Sequence, residues 1–421
     1  MSGGLIVGLD LGTSGVRSAV LDPRGAVVGT ARGDYGSETG ADAWWGAAVR
    51  CITQQVAALA ADGIAPQDIE AIGVDGTSGS LVLTDAKLKP VTRPLMYNDA
   101  GFDAEAARIA AHAPASHISR GSNSALARVL HLVGEADGKA RHLLHQADFV
   151  AAKLMGRGGL SDENNALKTG FDPDAGTWPN WLEALELPND LLPEVRPAGA
   201  YGDDIDASVA DQLELPKGLR VHLGTTDSTA AFLAAAPLEI GVAVTSLGTT
   251  LAVKMLSAQR IDAPEIGLYS HKLGQGWLVG GASNTGGGVL RSFFDPAQLA
   301  ELSAQIDPEV ASPLDYYPLA RPGERFPTND PNFPPRLLPR PDDDAAFLHG
   351  MLEGIARIEA QCYAKMAALG APPLRQLFTA GGGAANATWT AIRQRHMGMT
   401  IDRAAHAEAA IGTARLIQQS G

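Results

Sequence analysis

Cysteine is nearly absent: Cys51 and Cys362 are the only two in 421 residues. They lie far apart and fit no pairing or ligand spacing, which excludes a disulfide framework and a cysteine-based metal site. Two buried thiols in a reducing, cytoplasmic setting are expected instead. Basic residues are outnumbered, 33 Lys and Arg against 47 Asp and Glu, for a formal net charge of −14. That balance argues against nucleic acid or an anionic membrane as a partner, but leaves room for a nucleotide held by backbone donors and a cation. No apolar stretch approaches the ~20 residues of a membrane span. The first apolar run is broken by Asp10 and has no basic residues ahead of it, so no signal peptide is expected. His142 and His145 form a His-x-x-His spacing that no carboxylate or third histidine completes, and are expected to be structural or solvated. There is no Gly-x-x-x-x-Gly-Lys-Ser/Thr stretch, which excludes a P-loop phosphotransferase.

What is present starts at Leu5. An apolar run ends in Asp10, Gly12-Thr13-Ser14-Gly15 turns the chain, and a second apolar run reaches Pro23-Arg24-Gly25. The spacing predicts a β-hairpin with Asp10 near the end of its first strand. A glycine turn with hydroxyls suits phosphate oxygens, and an acid beside it suggests Mg²⁺ between the two. Taken alone, the stretch fits an ordinary glycine-rich hairpin equally well. The plan returns at Ile240–Val253, with Gly248-Thr249-Thr250 as the turn. Two such hairpins far apart predict two similarly built domains, each offering one phosphate loop. Residues 69–83 read as a third strand, polar glycine turn and strand, containing Ser78.

Between these landmarks, Ala43–Leu59 reads as a helix with Trp44, Val49, Ile52 and Val56 on one side. Leu95–Asp99 is a further run ending in an acid, and helices alternate with loops to about Leu154. Residues 156–190 form a loop layer expected to bury Trp178 and Trp181. Leu219–Thr226 is a short strand, and Asp227 falls at the start of an Ala-rich helix, where capping is the ordinary role of an acid. Residues 312–344, rich in Pro and Asp, read as a long surface loop or lid. A helix then runs to Leu369 with Phe347, Leu348, Leu352, Ile355, Ile358, Cys362, Tyr363 and Met366 inward, and with Glu353–Arg357 as an i,i+4 pair. After strand Leu377–Ala380, the turn Gly381–Asn386 opens another helix, an arrangement suited to a nucleotide. The last helix is predicted over Glu408–Gln419.

In order along the chain, these motifs resemble the FGGY carbohydrate kinases of the actin and hexokinase superfamily. Asp10–Ser14 resembles the first phosphate motif, Ser246–Thr250 the second, Thr379–Asn386 the adenosine motif, and Gly224–Asp227 the stretch with the catalytic base. The resemblance implies an α/β fold of two ribonuclease-H-like domains, with mixed sheets flanked by helices and a cleft between them. Residues 1–234 would form a sugar-binding domain on which the helix of 408–421 packs back, and 235–407 a nucleotide-binding domain. It implies ATP and Mg²⁺ as cofactors, with Asp227 as general base and Asp10 at the metal. Thr13, Ser14, Gly15, Gly248, Thr249 and Thr250 would bind phosphates, and Gly382, Gly383 and Asn386 adenosine. Asp10, Arg17, Ser78, Asp99 and Asp227 would line the sugar site.

There are departures. The family's Trp-x-Asp-x-Arg sugar motif reads Tyr97-Asn98-Asp99-Ala100-Gly101 here, without Trp or Arg. Gly73–Val82 resembles ribulose kinases, in particular the short plant and cyanobacterial members, rather than xylulose or glycerol kinases. The expected acceptor is therefore a ketopentose, D-ribulose ahead of xylulose, glycerol and hexoses, in a cytoplasmic monomer or homodimer. The rival reading is a non-catalytic ATP-binding regulator of the same fold. A dinucleotide-dependent oxidoreductase is disfavoured, because the first turn is Gly8-x-x-x-Gly12-x-x-Gly15 and not Gly-x-Gly-x-x-Gly.

Overall fold

The computed structural model describes residues 4–188 and 190–420. The chain divides into two compact units, Met1–Ala234 with Glu408–Gly421, and Ala235–Ala407.

In the first unit, β1 (Leu5–Gly12), β2 (Gly15–Leu21) and β3 (Val27–Asp34) form an antiparallel meander. β4 (Ile69–Gly76) pairs parallel with β1, and strand Arg220–Thr226 pairs parallel with β4, before an antiparallel edge strand at Tyr201–Asp204. β1 is almost wholly apolar because both of its faces are covered. Leu5, Val7, Leu9 and Leu11 pack in one core with α1 (Asp42–Ala61), whose Trp44, Ala47, Cys51, Ile52, Val56 and Leu59 recur at helical spacing. Each large side chain buried this way contributes roughly 1.5–3 kcal/mol. The other face of β1 carries Ile6, Gly8 and Asp10 and meets helix Ala409–Ser420. The contact is close: a Cβ on Gly8 would lie 1.9 Å from the carbonyl oxygen of Ala410, so only glycine fits.

Residues 69–84 do not form a hairpin. Both edges of β4 are taken by β1 and Arg220–Thr226, so Leu81–Thr84 has no free edge there and pairs with His142–His145 instead. This puts both histidines in a strand. His145 is buried, and burial, helped by Lys168 and Arg128, pushes its pKa down to about 3, so it is a neutral core residue. Trp178 and Trp181 are half-buried rather than buried. Trp178 donates from its indole N–H to Pro193 O at 3.1 Å and borders a surface cavity of about 690 Å³.

In the second unit, Val242–Leu247 and Leu251–Ser257 form the second hairpin, extended antiparallel by Gly276–Ser283 and Tyr269–Leu273. Gln376–Ala380 pairs parallel with Val242–Leu247, and Ile401–Arg403 lies beyond it. Helix Asp344–Ala368 starts at Asp343, whose carboxylate accepts from the N–H groups of Ala345 and Ala346, and its predicted apolar face is buried throughout. Residues 312–343 lack helix and strand, as read from the sequence, but are not a loose surface loop. Tyr316 stacks edge-on against Phe347, and Phe326 is fully buried in the unit's core.

The Glu353–Arg357 pair does not form. Arg357 reaches Asp315 and the carbonyl of Tyr316, while Glu353 turns inward to Arg395, His396 and His349. Desolvation drives the choice: a carboxylate on the buried face takes the donors that helix Ala387–Met397 offers there. Burial alone would raise the Glu353 carboxyl, but His349, His396 and Arg395 outweigh it and hold it at about 2, below the ordinary 4.5. A depressed folded-state value contributes stability that is full above pH 4.5 and is lost as pH falls toward 2. Glu353→Gln should therefore cost on the order of 2 kcal/mol in urea unfolding at pH 7 and clearly less at pH 3. An equal loss at both pH values would show that the charge is not what matters.

Candidate functional site

Acids stand at the ends of three adjacent strands in the first unit. Asp10 on β1 is level with Asp75 on β4, and Thr226, just before Asp227, is level with Gly76. Burial pushes Asp10 up to about 6; a hydrogen bond with Asp75 and the charge of Arg17 lower it, while Asp227 raises it. Asp75 is fully buried and pushed well up, by burial first and then by the charge of Asp10. The interaction between the two carboxyls lowers Asp10 and raises Asp75. The other oxygen of Asp75, Oδ2, accepts from the Thr413 hydroxyl on helix Ala409–Ser420. Arg17 Nη1 is 3.9 Å from Asp10 Oδ2 on a half-exposed side chain. Asp227 is the first residue of helix Asp227–Ala235, half-buried, with Oδ1 accepting from Ser228 N–H at 2.6 Å. Thr13 and Ser14 are exposed at the tip of the β1–β2 turn, ahead of Gly15.

The segment carrying Ser78 adjoins the one carrying Asp99. Arg128, 2% exposed, binds four carbonyls at once: Gly79 at 3.0 Å, Tyr97, Asn123 at 2.8 Å and Asp99 at 3.2 Å. Two of the hydroxyls around Ser78 are committed to the protein. Thr77 Oγ1 donates to Gln146, and Ser80 Oγ accepts from Tyr97 N–H, so both hydroxyls serve the protein. Asp99 Oδ2 accepts from Met96 N–H at 2.7 Å. The Ser78 hydroxyl, by contrast, is buried with no hydrogen-bond partner. A buried, unmatched hydroxyl is costly unless something else fills it.

In the second unit a cavity of about 580 Å³ is bordered by Gly248, Gly382, Gly383 and Asn386. Gly381 ahead of them has φ +82°, and a Cβ there would lie 2.6 Å from Leu247 O, so the turn lies flat against the hairpin. Leu290, Leu299, Ala300 and Trp389 make part of the wall apolar, and Arg291 adds a cation that donates to Thr249 Oγ1 at 3.0 Å. Asn386 is committed to the protein: Oδ1 caps the next helix at Trp389 N–H, and Nδ2 donates to Ser303 Oγ. Thr249 and Thr250, which follow Gly248, are not among the residues bordering the cavity.

Among the described residues, no three or more His, Cys, Asp or Glu side chains are arranged to hold a metal. Mg²⁺ needs no such cage; it is held by one or two carboxylates with phosphate oxygens and water. Asp10 fits that role, as a buried carboxylate whose nearest cation, Arg17, is half exposed to solvent.

Sequence reasoning gave no role to Asp75, Arg128, Arg291 or Thr413. Asp75 carries the same local signal as Asp10, an acid ending an apolar strand. The others are joined to the site only by tertiary packing.

Residues 5–234 match the N-terminal domain and residues 243–417 the C-terminal domain of the FGGY family of carbohydrate kinases. The chain is similar to a xylulose kinase of Escherichia coli strain K12, 24% identical over 98% of this chain and 90% of that one. It is also similar to a glycerol kinase of Acidovorax ebreus strain TPSY, 24% identical over 98% and 89%. The solved structure of gluconate kinase from Lactobacillus acidophilus shares the fold, with a TM-score of 0.84 over 99% of this chain and 89% of that one at 15% identity.

The Thr413–Asp75 bond can be tested by itself. Thr413→Val keeps shape but leaves a buried carboxyl oxygen unmatched, and should cost about 1–3 kcal/mol in urea unfolding. Thr413→Ser should recover most of it. A valine variant as stable as the parent would mean that the bond is not what anchors the helix.

Proposed function

The chain belongs to the FGGY family of carbohydrate kinases, and from that premise we propose that it transfers the γ-phosphoryl group of ATP to a ketopentose hydroxyl, D-ribulose ahead of D-xylulose. The observation that carries the nucleotide reading is the cavity of the second unit. It collects Gly248 with Gly382 and Gly383, turns far apart in sequence, and offers backbone and a cation toward phosphates and an apolar wall toward a purine. Thr13, Ser14 and Gly15 in the first unit, and Thr249 and Thr250 in the second, are the proposed phosphate donors.

Asp227 takes the proton as the acceptor oxygen attacks the γ-phosphorus; the bond to the β–γ bridging oxygen breaks and ADP leaves. Asp10 would hold Mg²⁺, which when bound supplies positive charge against the phosphate oxygens. Arg17 orients the Asp10 carboxylate. Ser78 and Asp99 bind sugar hydroxyls: the Ser78 hydroxyl has no protein partner, and Asp99 Oδ2 is the oxygen that the Met96 N–H engages. A small wall without large polar side chains suits a short polyhydroxy chain. Xylulose and glycerol, for which the two similar proteins are named, are the competing acceptors. Two free, buried cysteines suit the cytoplasm.

ADP release measured over D-ribulose, D-xylulose, glycerol and gluconate should give the highest kcat/KM with D-ribulose, and a preference for glycerol or gluconate would overturn the ketopentose assignment. Asp227→Ala should lower kcat by ~10²–10⁴ while leaving the affinity for ATP little changed, since proton transfer is what it loses. Near-normal sugar-dependent turnover in a folded variant would remove Asp227 as the base. Asp10→Ala should shift the Mg²⁺ dependence of turnover to higher concentration, and an unaltered titration would assign Asp10 a structural role.

A further inference from the structure

A one-way chain of hydrogen bonds runs through the first unit from the segment of Asp99 to the β1–β2 turn. Tyr97 N–H donates to Ser80 Oγ at 3.0 Å. Ser80 Oγ and Thr77 Oγ1 are 2.6 Å apart, and Thr77 Oγ1 is 2.6 Å from Gln146 Oε1. Gln146 Oε1 also accepts from Thr77 N–H at 2.9 Å, which fixes the amide's orientation. An amide oxygen donates nothing, so Thr77 must give its proton to Gln146 and receive one from Ser80. Gln146 Nε2 then donates to Tyr35 Oη at 3.4 Å, and Tyr35 O–H donates to the carbonyl of Gly12. Every donor points toward the turn. Ser80 and Gln146 are 0% exposed and Thr77 3%, so water does not compete along the middle of the chain. Burial, and the Asp10 charge, push the Tyr35 hydroxyl up to about 12, so it remains a donor at neutral pH.

The far end of this chain meets the peptide between Gly12 and Thr13. A phosphate accepting from the N–H of that peptide polarises its carbonyl, which strengthens the bond from Tyr35 and each bond behind it, because aligned hydrogen bonds polarise one another. We propose that Tyr35 and Gln146 are positioning residues that couple phosphate occupancy of the Gly12–Gly15 turn to the order of the acceptor wall at Thr77–Asp99. The proposal rests on the kinase reading for what binds at each end. It explains why a glutamine at the buried start of helix Gln146–Met155 spends its side chain on a loop and a tyrosine rather than on its own helix. It also gives the 3.4 Å step, the longest in the chain, a role as the joint that tightens when nucleotide is present.

The test needs no sugar. Amide hydrogen exchange of the full chain is followed with and without the non-hydrolysable analogue AMP-PNP and Mg²⁺, with calorimetry of the same analogue alongside. In the parent protein the analogue should slow exchange at Thr77 and Tyr97 by about fivefold or more, the lower end of ordinary coupling between sites. In Tyr35→Phe that protection should fall below about twofold while the analogue's affinity stays within about threefold. Amides of β1 act as the control, since a merely loosened sheet would exchange faster with and without analogue. Binding without protection of Thr77 and Tyr97, or protection that survives in Tyr35→Phe, overturns the coupling. Failure of the parent to bind AMP-PNP overturns the nucleotide reading, and the coupling with it. Gln146→Glu keeps the acceptor for Thr77 but loses the donor to Tyr35, and must give the same result if the tyrosine variant does not fold.

Discussion

The close seat of helix Ala409–Ser420 on β1 and β4 governs what the ends of those strands can carry. The bare backbone at Gly8 lets the helix approach, and the approach brings the Thr413 hydroxyl to Asp75, 338 residues away in sequence. A carboxyl buried without partners would cost several kcal/mol. Here one oxygen is matched by Thr413, while burial and the neighbouring Asp10 charge push the carboxyl well up. Asp10 in turn is pushed up to about 6 by burial, with the half-exposed Arg17 beside it. The same seat therefore sets both the packing of the sheet and the surroundings of the acids at its chemical end.

The second unit meets a similar demand by a different device. Arg393 and Glu359 form a doubly bonded ion pair with both side chains 0% exposed. Thr245 from one central strand donates to Glu359, and Arg393 donates to Thr379 on the next. Buried ion pairs add little net stability, because desolvation cancels most of the attraction, but losing one partner is expensive. What this pair secures is placement. Thr245 precedes the Gly248 turn and Thr379 precedes the Gly381–Asn386 turn, so one guanidinium and one carboxylate fix the two glycine turns that border the cavity.

How far the sequence discloses this depends on how local each signal is. Both hairpins, α1 and the helix after Asp343 were readable because turn residues and apolar period lie within a few residues of one another. The partners of β4 were not, since a strand with two occupied edges looks the same in sequence as half of a hairpin. Glu353 and Arg357 have the spacing of a surface pair, yet Glu353 faces inward, and only the position of helix Ala387–Met397 reveals that. In the candidate site, Asp10, Asp227 and the glycine turns announce themselves by their motifs. Gln146, Arg128 and Thr413 do not, because each acts on a loop or strand that packing alone brings to it. The commitment of Thr77, next to Ser78, is hidden for the same reason: its hydroxyl is claimed by a residue 69 positions away.

The two hairpins also show where the units part company. Aligned on their turns, Asp10-Leu11-Gly12-Thr13-Ser14 falls on Ser246-Leu247-Gly248-Thr249-Thr250. Each first strand has an antiparallel partner on one side and a parallel one on the other. In the first unit the parallel register sets Asp10 against Asp75; in the second it sets Ser246 against Ala380. The backbone frame that presents a glycine turn is thus common to both, while the acid pair beneath the turn belongs to one. A turn backed by a serine and an alanine can offer N–H and hydroxyl donors to an anion but has no carboxylate of its own at that place. A turn backed by the Asp10 carboxylate beside Asp75 presents negative charge there, and an anion can approach it only in the company of a cation. That asymmetry, written into two aligned positions of a repeated frame, is why the proposed Mg²⁺ is placed at the first hairpin and not at the second.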